Sequence, residues 1–197
     1  TKPFSLGLKE NDEAIFYYLD NIIKPTVLQN GVVTKVPVYY GSPERWAQVQ
    51  KQGYYRDLKG KIMMPVITFK RNGVEKVRNI ANKLDANYPM NVQLFQKQYS
   101  PKNAYDNFNI LNNRIPKKES YAVVVPDYVI LTYDFIISTY YVEQMNKIVE
   151  AMNYASDSYW GNPERFKFRA RIDSYTTSVE LENAGNRVVK TNFSLKL

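Results

Sequence analysis

The chain contains no cysteine and no histidine. Without cysteine there is no disulfide, no thiolate nucleophile and none of the usual zinc ligand sets. Without histidine, the side chain most used for proton transfer near neutral pH is missing. Catalysis would have to rest on Asp, Glu, Lys or Tyr. Glycine is scarce, 8 residues in 197, and no P-loop, Gly-x-Gly-x-x-Gly or nucleophile elbow occurs. No apolar run reaches the roughly 20 residues of a membrane span, and the opening "TKPFSLGLKE" has no apolar core of the signal-peptide kind. The expectation is a soluble intracellular protein, not an enzyme, with no cofactor, no metal and no membrane partner.

What is present is apolar residue, positive charge and tyrosine. The 44% apolar content is enough for a core. Lys and Arg number 27 against 19 Asp and Glu, a net charge of +8. That surplus draws a protein to acidic partners without choosing among nucleic acid, membrane and acidic protein. The 17 tyrosines suit both sheet faces and interfaces, since each offers apolar area and a polar tip.

Hydrophobic spacing predicts a helix over "NDEAIFYYLDNIIK", residues 11–24. Asn11 or Asp12 is its expected cap, Ile15, Phe16, Leu19, Ile22 and Ile23 its apolar stripe, and Pro25 its stop. "GVVTKVPVYYGSPERWAQVQ" reads as strand, tight turn and helix. Val36, Val38 and Tyr40 share a strand face, Ser42 caps, Pro43 opens the helix, and Trp46 and Val49 anchor it. "YYRDLKGKIMMPVITFKRN" reads as a hairpin turning at Asp57 to Gly60, with Pro65 demoting its second strand to an edge or a bulge. Residues 72–120 are rich in Asn, Lys and Tyr and broken by Pro89, Pro101 and Pro116. They read as long excursions with one strand near Val92 to Tyr99.

"DYVILTYDFIIST", 127–139, is apolar on both faces and reads as a central strand. A helix follows over about Tyr140 to Tyr154, capped by Ser138 or Thr139, with Met145, Ile148, Val149 and Met152 facing inward. "RVVKTNFSLKL" places Val189, Thr191, Phe193, Leu195 and Leu197 on one face, and "NAGN", 183–186, is its expected hairpin turn. No internal repeat and no low-complexity tract stands out. The sum is an α+β fold: a mainly antiparallel sheet with two or three packed helices and long loop excursions. We expect a single domain over 1–197, with an irregular insertion at about 72–120.

"RFKFRARID", 165–173, alternates strictly. Arg165, Lys167, Arg169 and Arg171 take one face of a strand, and Phe166, Phe168, Ala170 and Ile172 the other. The cationic face has three readings: a solvated face, a contact with an acidic protein surface, or a phosphate-binding surface. The recognisable nucleic-acid-reading signatures are absent. Four neighbouring cations repel, so an acidic cross-strand neighbour is expected, with Glu180 and Glu182 nearest in sequence. The acidic groups Asn11-Asp12-Glu13 and Glu180 with Glu182 read better as a helix start and a solvated strand than as a cation site.

Taken in order, several of these stretches resemble one family. "KVPVYYGSPERW", "MMPVITFKR", "YVILTYDFIISTYYVEQMNKIVEAMNYA" and "FKFRARID" are similar to the tail sheath stabilisers, or tail terminators, of T-even-like contractile phages. The resemblance covers about two thirds of the chain and leaves out residues 72–120. It implies a structural virion protein at the tail/neck junction, in the host cytoplasm during assembly. Such proteins form a six-membered ring that ends the tube and sheath and meets the neck of the head. The implied partners are other copies of the chain, sheath and tube proteins, neck or head-completion proteins, and DNA passing through the channel. Arg165, Lys167, Arg169 and Arg171 are the candidate interface. The T-even form carries a Pro-rich tail after the last strand; this sequence ends soon after that strand, so nothing done by such a tail is carried over. The alternatives are a sequence-independent nucleic-acid-binding protein or another neck or baseplate component.

Overall fold

The structure is a computed structural model and describes residues 6–42, 47, 55–56, 59, 62–80, 92–98, 111–112, 118–124, 127–181 and 187–197. The chain divides into two compact units. One comprises Thr1–Phe4 with Lys76–Val129, the other Ser5–Glu75 with Ile130–Leu197. The architecture is α+β and mainly sheet.

In the larger unit a five-stranded sheet runs in the order β12-β13-β9-β6-β3. Its strands are β3 (Val38–Tyr40), β6 (Val66–Lys76), β9 (Val129–Thr139), β12 (Arg171–Leu181) and β13 (Arg187–Lys196). The pairs β12–β13 and β13–β9 are antiparallel and β3–β6 is parallel. β9 is central, as its apolar sequence predicts. Leu131, Tyr133, Phe135 and Ile137 are buried in alternation, and the other face carries Thr132, Asp134 and Ile136, half-buried. β13 buries Val189, Thr191, Phe193 and Leu195, and its hairpin pairing with β12 holds. The expected turn at 183–186 lies outside the described residues.

Helix α2 (Val142–Ala155) packs through Met145, Ile148 and Met152, all buried, with Val149 at the margin. Its expected cap is corrected. Ser138 and Thr139 are still strand residues, and the N-cap is Tyr141, whose carbonyl accepts from Thr139 Oγ1 at 3.0 Å. Helix α1 (Leu8–Tyr17) starts earlier than its spacing suggests. Its N-cap is Gly7, whose N–H donates to Glu10 Oε2 at 2.6 Å, so neither Asn11 nor Asp12 caps it. α1 continues as a π-helical turn over Tyr18–Ile23, ending at Lys24 with φ +45°. A π turn rotates less per residue than an α turn. That swings Ile22 off the predicted stripe, leaving it 49% exposed, while Ala14, Ile15 and Leu19 stay buried.

β1 (Thr26–Gln29) and β2 (Val32–Lys35) form a hairpin that the sequence reading did not separate. Asn30 and Gly31 sit at φ +50° and +78°, the left-handed geometry that Asn-Gly supplies in a tight hairpin turn. Of the helix expected over Pro43 to Val49, only Ala47 is among the described residues, and it is helical. β4 (Tyr55–Arg56) pairs antiparallel with β5 (Ile62–Met63), the expected hairpin. Pro65 does not make its strand an edge. It falls between β5 and β6, where the ladder needs no N–H from it, and β6 lies inside the sheet.

In the smaller unit β7 (Val92–Gln98) pairs antiparallel with β8 (Lys118–Val124). β7 was expected and its partner was not. In the larger unit two more strands, β10 (Tyr159–Asn162) and β11 (Phe166–Arg169), form a hairpin after α2.

One aromatic from each strand of the five-stranded sheet joins a continuous ladder. Tyr40 meets Phe69 edge-on at 5.3 Å, Phe69 stacks on Phe135 at 5.2 Å, Phe135 stacks on Phe193 at 4.8 Å, and Tyr175 lies 5.0 Å from Phe193. Such pairs add about 0.5–1.5 kcal/mol each beyond their buried area. We predict that Phe135→Ala costs about 3–5 kcal/mol and Ile148→Ala about 2–5 kcal/mol in chemical denaturation, whereas Tyr40→Ala, at the exposed end of the ladder, costs far less.

Candidate functional site

The basic row is not one strand. Arg165 ends the β10–β11 turn, Lys167 and Arg169 lie on β11, and Arg171 opens β12 in the main sheet. The break is Ala170, which is fully buried. Its carbonyl accepts from Asp157 N–H at 2.9 Å and its N–H donates to Ser158 at 3.1 Å. The α2–β10 connection therefore grips the chain where it passes from hairpin to sheet. The alternation still holds across the break: Arg165, Lys167, Arg169 and Arg171 are exposed, while Phe166, Phe168 and Ile172 are half-buried.

The expected acidic neighbours do not face the row. Arg169 lies opposite Tyr159, Lys167 opposite Gly161, and Arg171 opposite Lys196. Glu180 pairs across to Val188, at the far end of β12, and Glu182 lies outside the described residues. Among the described residues the one acidic contact is Asp157 to Arg169 at 4.0 Å, between side chains that are both more than 60% exposed. Exposed pairs of this kind contribute little.

The hairpin itself is built tightly. Asn162 Oδ1 accepts from Glu164 N–H at 3.0 Å, and the Asn162 carbonyl accepts from Arg165 N–H at 3.0 Å. Trp160 is buried, donates Nε1–H to the Ala155 carbonyl at 2.7 Å and stacks on Tyr18 at 5.0 Å. Gly161 sits at φ +120°, and a Cβ there would lie 2.4 Å from the Phe166 carbonyl oxygen. No other residue fits. The sequence carries a signal for this turn: "GNPERF", 161–166, repeats the pattern of "GSPERW", 41–46, where Gly41 is the expected turn.

A second polar cluster ties α1 to the sheet. Arg71 Nη1 donates to both Asp12 carboxylate oxygens at 3.1 Å, and the Tyr133 hydroxyl donates to Asp12 Oδ1 at 2.5 Å. Burial, and then the Asp12 carboxylate, hold the Tyr133 hydroxyl well above its usual pKa. Beside it, Lys9, Asp12, Glu13, Phe16, Tyr40 and Phe69 line an apolar depression of about 330 Å³. Across the sheet, Asp134, Ile136, Asp173, Asn192, Phe193 and Ser194 line an open groove of mixed polar and apolar character, about 510 Å³. Its carboxylates are engaged: Asp134 accepts from Ser194 and Asp173 pairs with Lys196 at 3.2 Å. Among the described residues no group of three acidic side chains is arranged to hold a metal ion, and no helix is long and apolar enough to cross a membrane.

Exposed apolar side chains occur on α1, on α2 and on two hairpins, and the hairpins group them. On β1–β2, Leu28, Val32 and Val33 are 57–63% exposed. On β7–β8, Leu94, Phe95, Tyr121 and Val123 are exposed.

No protein-family model and no curated protein matches this chain.

Tyr175 separates burial from bonding. Its hydroxyl is buried without a hydrogen-bond partner, and burial pushes its pKa up to about 12. A tyrosine whose folded pKa is raised adds stability that is complete below the unfolded value of about 10 and is lost as pH rises toward the folded value. We predict that Tyr175→Phe is neutral or stabilising by about 1 kcal/mol, while Tyr133→Phe, which removes a bond to a carboxylate, costs about 1.5–3 kcal/mol. Between about pH 10 and 12, denaturation midpoints of the unmodified chain fall, and those of Tyr175→Phe fall less steeply.

Proposed function

We propose that this chain is a structural subunit of a contractile phage tail. In this reading it forms a ring that ends the tube and sheath at the head-proximal end and meets the neck. The observation that carries the reading is the exposed β1–β2 hairpin. It is held to the unit by buried Val27 and by Gln144 Nε2, which donates to the Leu28 carbonyl at 3.1 Å, and it sets three large aliphatic side chains, Leu28, Val32 and Val33, in solvent. Apolar hairpins on a rigid framework suit contacts between subunits. A ring needs one patch of a subunit to meet a different patch of the next, and an exposed apolar hairpin face provides one such patch.

Further support comes from where the family-like stretches fall. "VPVYY" contains β3, "MMPVITFKR" contains the last residue of β5 and the first half of β6, the long central match spans β9 and α2, and "FKFRARID" joins β11 to β12. The resemblance therefore tracks the framework of the larger unit. The absence of histidine and cysteine agrees in kind with a structural role.

Two measurements test the proposal. Imaging of labelled virions is expected to locate this chain at the head-proximal end of the tail; any other location overturns the assignment. The double substitution Val32→Glu with Val33→Glu lies on exposed positions and is expected to cost the monomer under about 1 kcal/mol. Tails carrying it are expected to remain unfinished. Normal tail completion by a folded double variant removes the hairpin from the interface.

A further inference from the structure

The cationic row is left unneutralised by its own fold. Among the described residues, Arg165, Lys167 and Arg171 have no acidic partner, and Arg169 has only the loose contact with Asp157. The residues opposite Arg169, Lys167 and Arg171 are a tyrosine, a glycine and a lysine. Repulsion among these charges costs folding stability. Other nearby carboxylates are Asp173, which is paired with Lys196 at 3.2 Å, and Glu10 and Glu13, which line a depression with Arg165 but form no ion pair with it among the described residues.

We propose that the outer face of the β10–β11 hairpin binds the phosphate backbone of single-stranded nucleic acid. Arg165, Lys167, Arg169 and Arg171 are the phosphate ligands, and Tyr159 is a stacking platform for a base. Two observations support this class of partner over an acidic protein surface. Alternate residues of a strand recur about 6.6–6.8 Å apart, so Lys167 and Arg169 on β11 form a regularly spaced pair of charges, flanked by Arg165 in the preceding turn and by Arg171 past Ala170. A phosphodiester backbone presents a continuous line of charge to such a row, whereas carboxylates on a folded protein are scattered and partly paired. Second, Tyr159 is 68% exposed on that same face, directly opposite Arg169. Basic residues with an exposed aromatic beside them are the combination that grips single strands without reading sequence.

The inference does not rest on the phage-tail reading, and the two fail separately. It is tested with the full chain, by fluorescence anisotropy against a labelled oligothymidylate and a duplex of equal length, over a salt series. The compared variants are Arg165→Ala with Lys167→Ala, Tyr159→Ala, and a control, Lys9→Ala with Lys147→Ala, which removes the same charge elsewhere. Thermal unfolding first establishes that each variant is folded.

Affinity of the unmodified chain is expected to fall linearly in log–log form as salt rises. The row variant is expected to bind more weakly and to lower that slope by about 1 to 2, and the control to do neither. Tyr159→Ala is expected to weaken oligothymidylate binding roughly 5- to 150-fold with little effect on the duplex. Absence of salt-dependent binding, or an equal loss in the control, overturns the site. Poly-glutamate of matching charge binding as tightly as the oligonucleotide overturns it in favour of an acidic protein partner. Equal losses on both nucleic acids in Tyr159→Ala remove the stacking role.

Discussion

The aromatic ladder is the constraint on which the larger unit depends. Tyr40, Phe69, Phe135, Phe193 and Tyr175 come from five strands scattered between residues 38 and 193, and each touches the next. A side-chain period of two means that a one-residue slip of any strand would turn its aromatic to the other face and break the chain of contacts. The register pairs Tyr40 with Phe69, Phe135 with Phe193 and Phe193 with Tyr175 are thus fixed together. The parallel edge strand β3 has only three residues, few for a stable edge by themselves. Its place is secured by burial of Val38 and by Tyr40 against Phe69.

Around that frame, the end of α2 does most to position the surface features. The Ala155 carbonyl accepts from both Ser158 Oγ and Trp160 Nε1, and Ser156 Oγ accepts from Ile172 N–H at 3.3 Å. Asp157, at φ +61°, turns the chain so that its N–H reaches the Ala170 carbonyl. These bonds satisfy backbone groups at a helix end that would otherwise be orphaned. They also divide the basic segment between two sheets while keeping its cations on one side. The charge pattern survives because Phe166, Phe168, Ala170 and Ile172 all have apolar surface to pack against.

Polar groups follow the same logic of local placement. Asp12, expected at a helix cap, instead joins α1 to β6 and β9 by accepting from Arg71 and Tyr133. The cap role falls to Glu10, which reaches back to Gly7. A carboxylate with side-chain exposure near 20% is worth keeping only if donors surround it, and Asp12 has three such bonds.

The amino-acid sequence by itself determined the elements whose pattern is long and regular. These are β9 from its unbroken apolar run, α2 from Met145, Ile148 and Met152, β13 from its alternation, and the inward and outward faces of 165–173. Each depends only on periodicity, which burial on one face imposes directly. Tertiary structure decided what periodicity does not encode. It set the π turn that drops Ile22 from the core, the capture of Asp12 by Arg71 and the break at Ala170. It also chose Tyr159, Gly161 and Lys196 rather than Glu180 as neighbours of the cations. All of these depend on which distant segments are brought together, and pairing between distant segments is set by the fit of whole faces against one another, not by the spacing within any one of them.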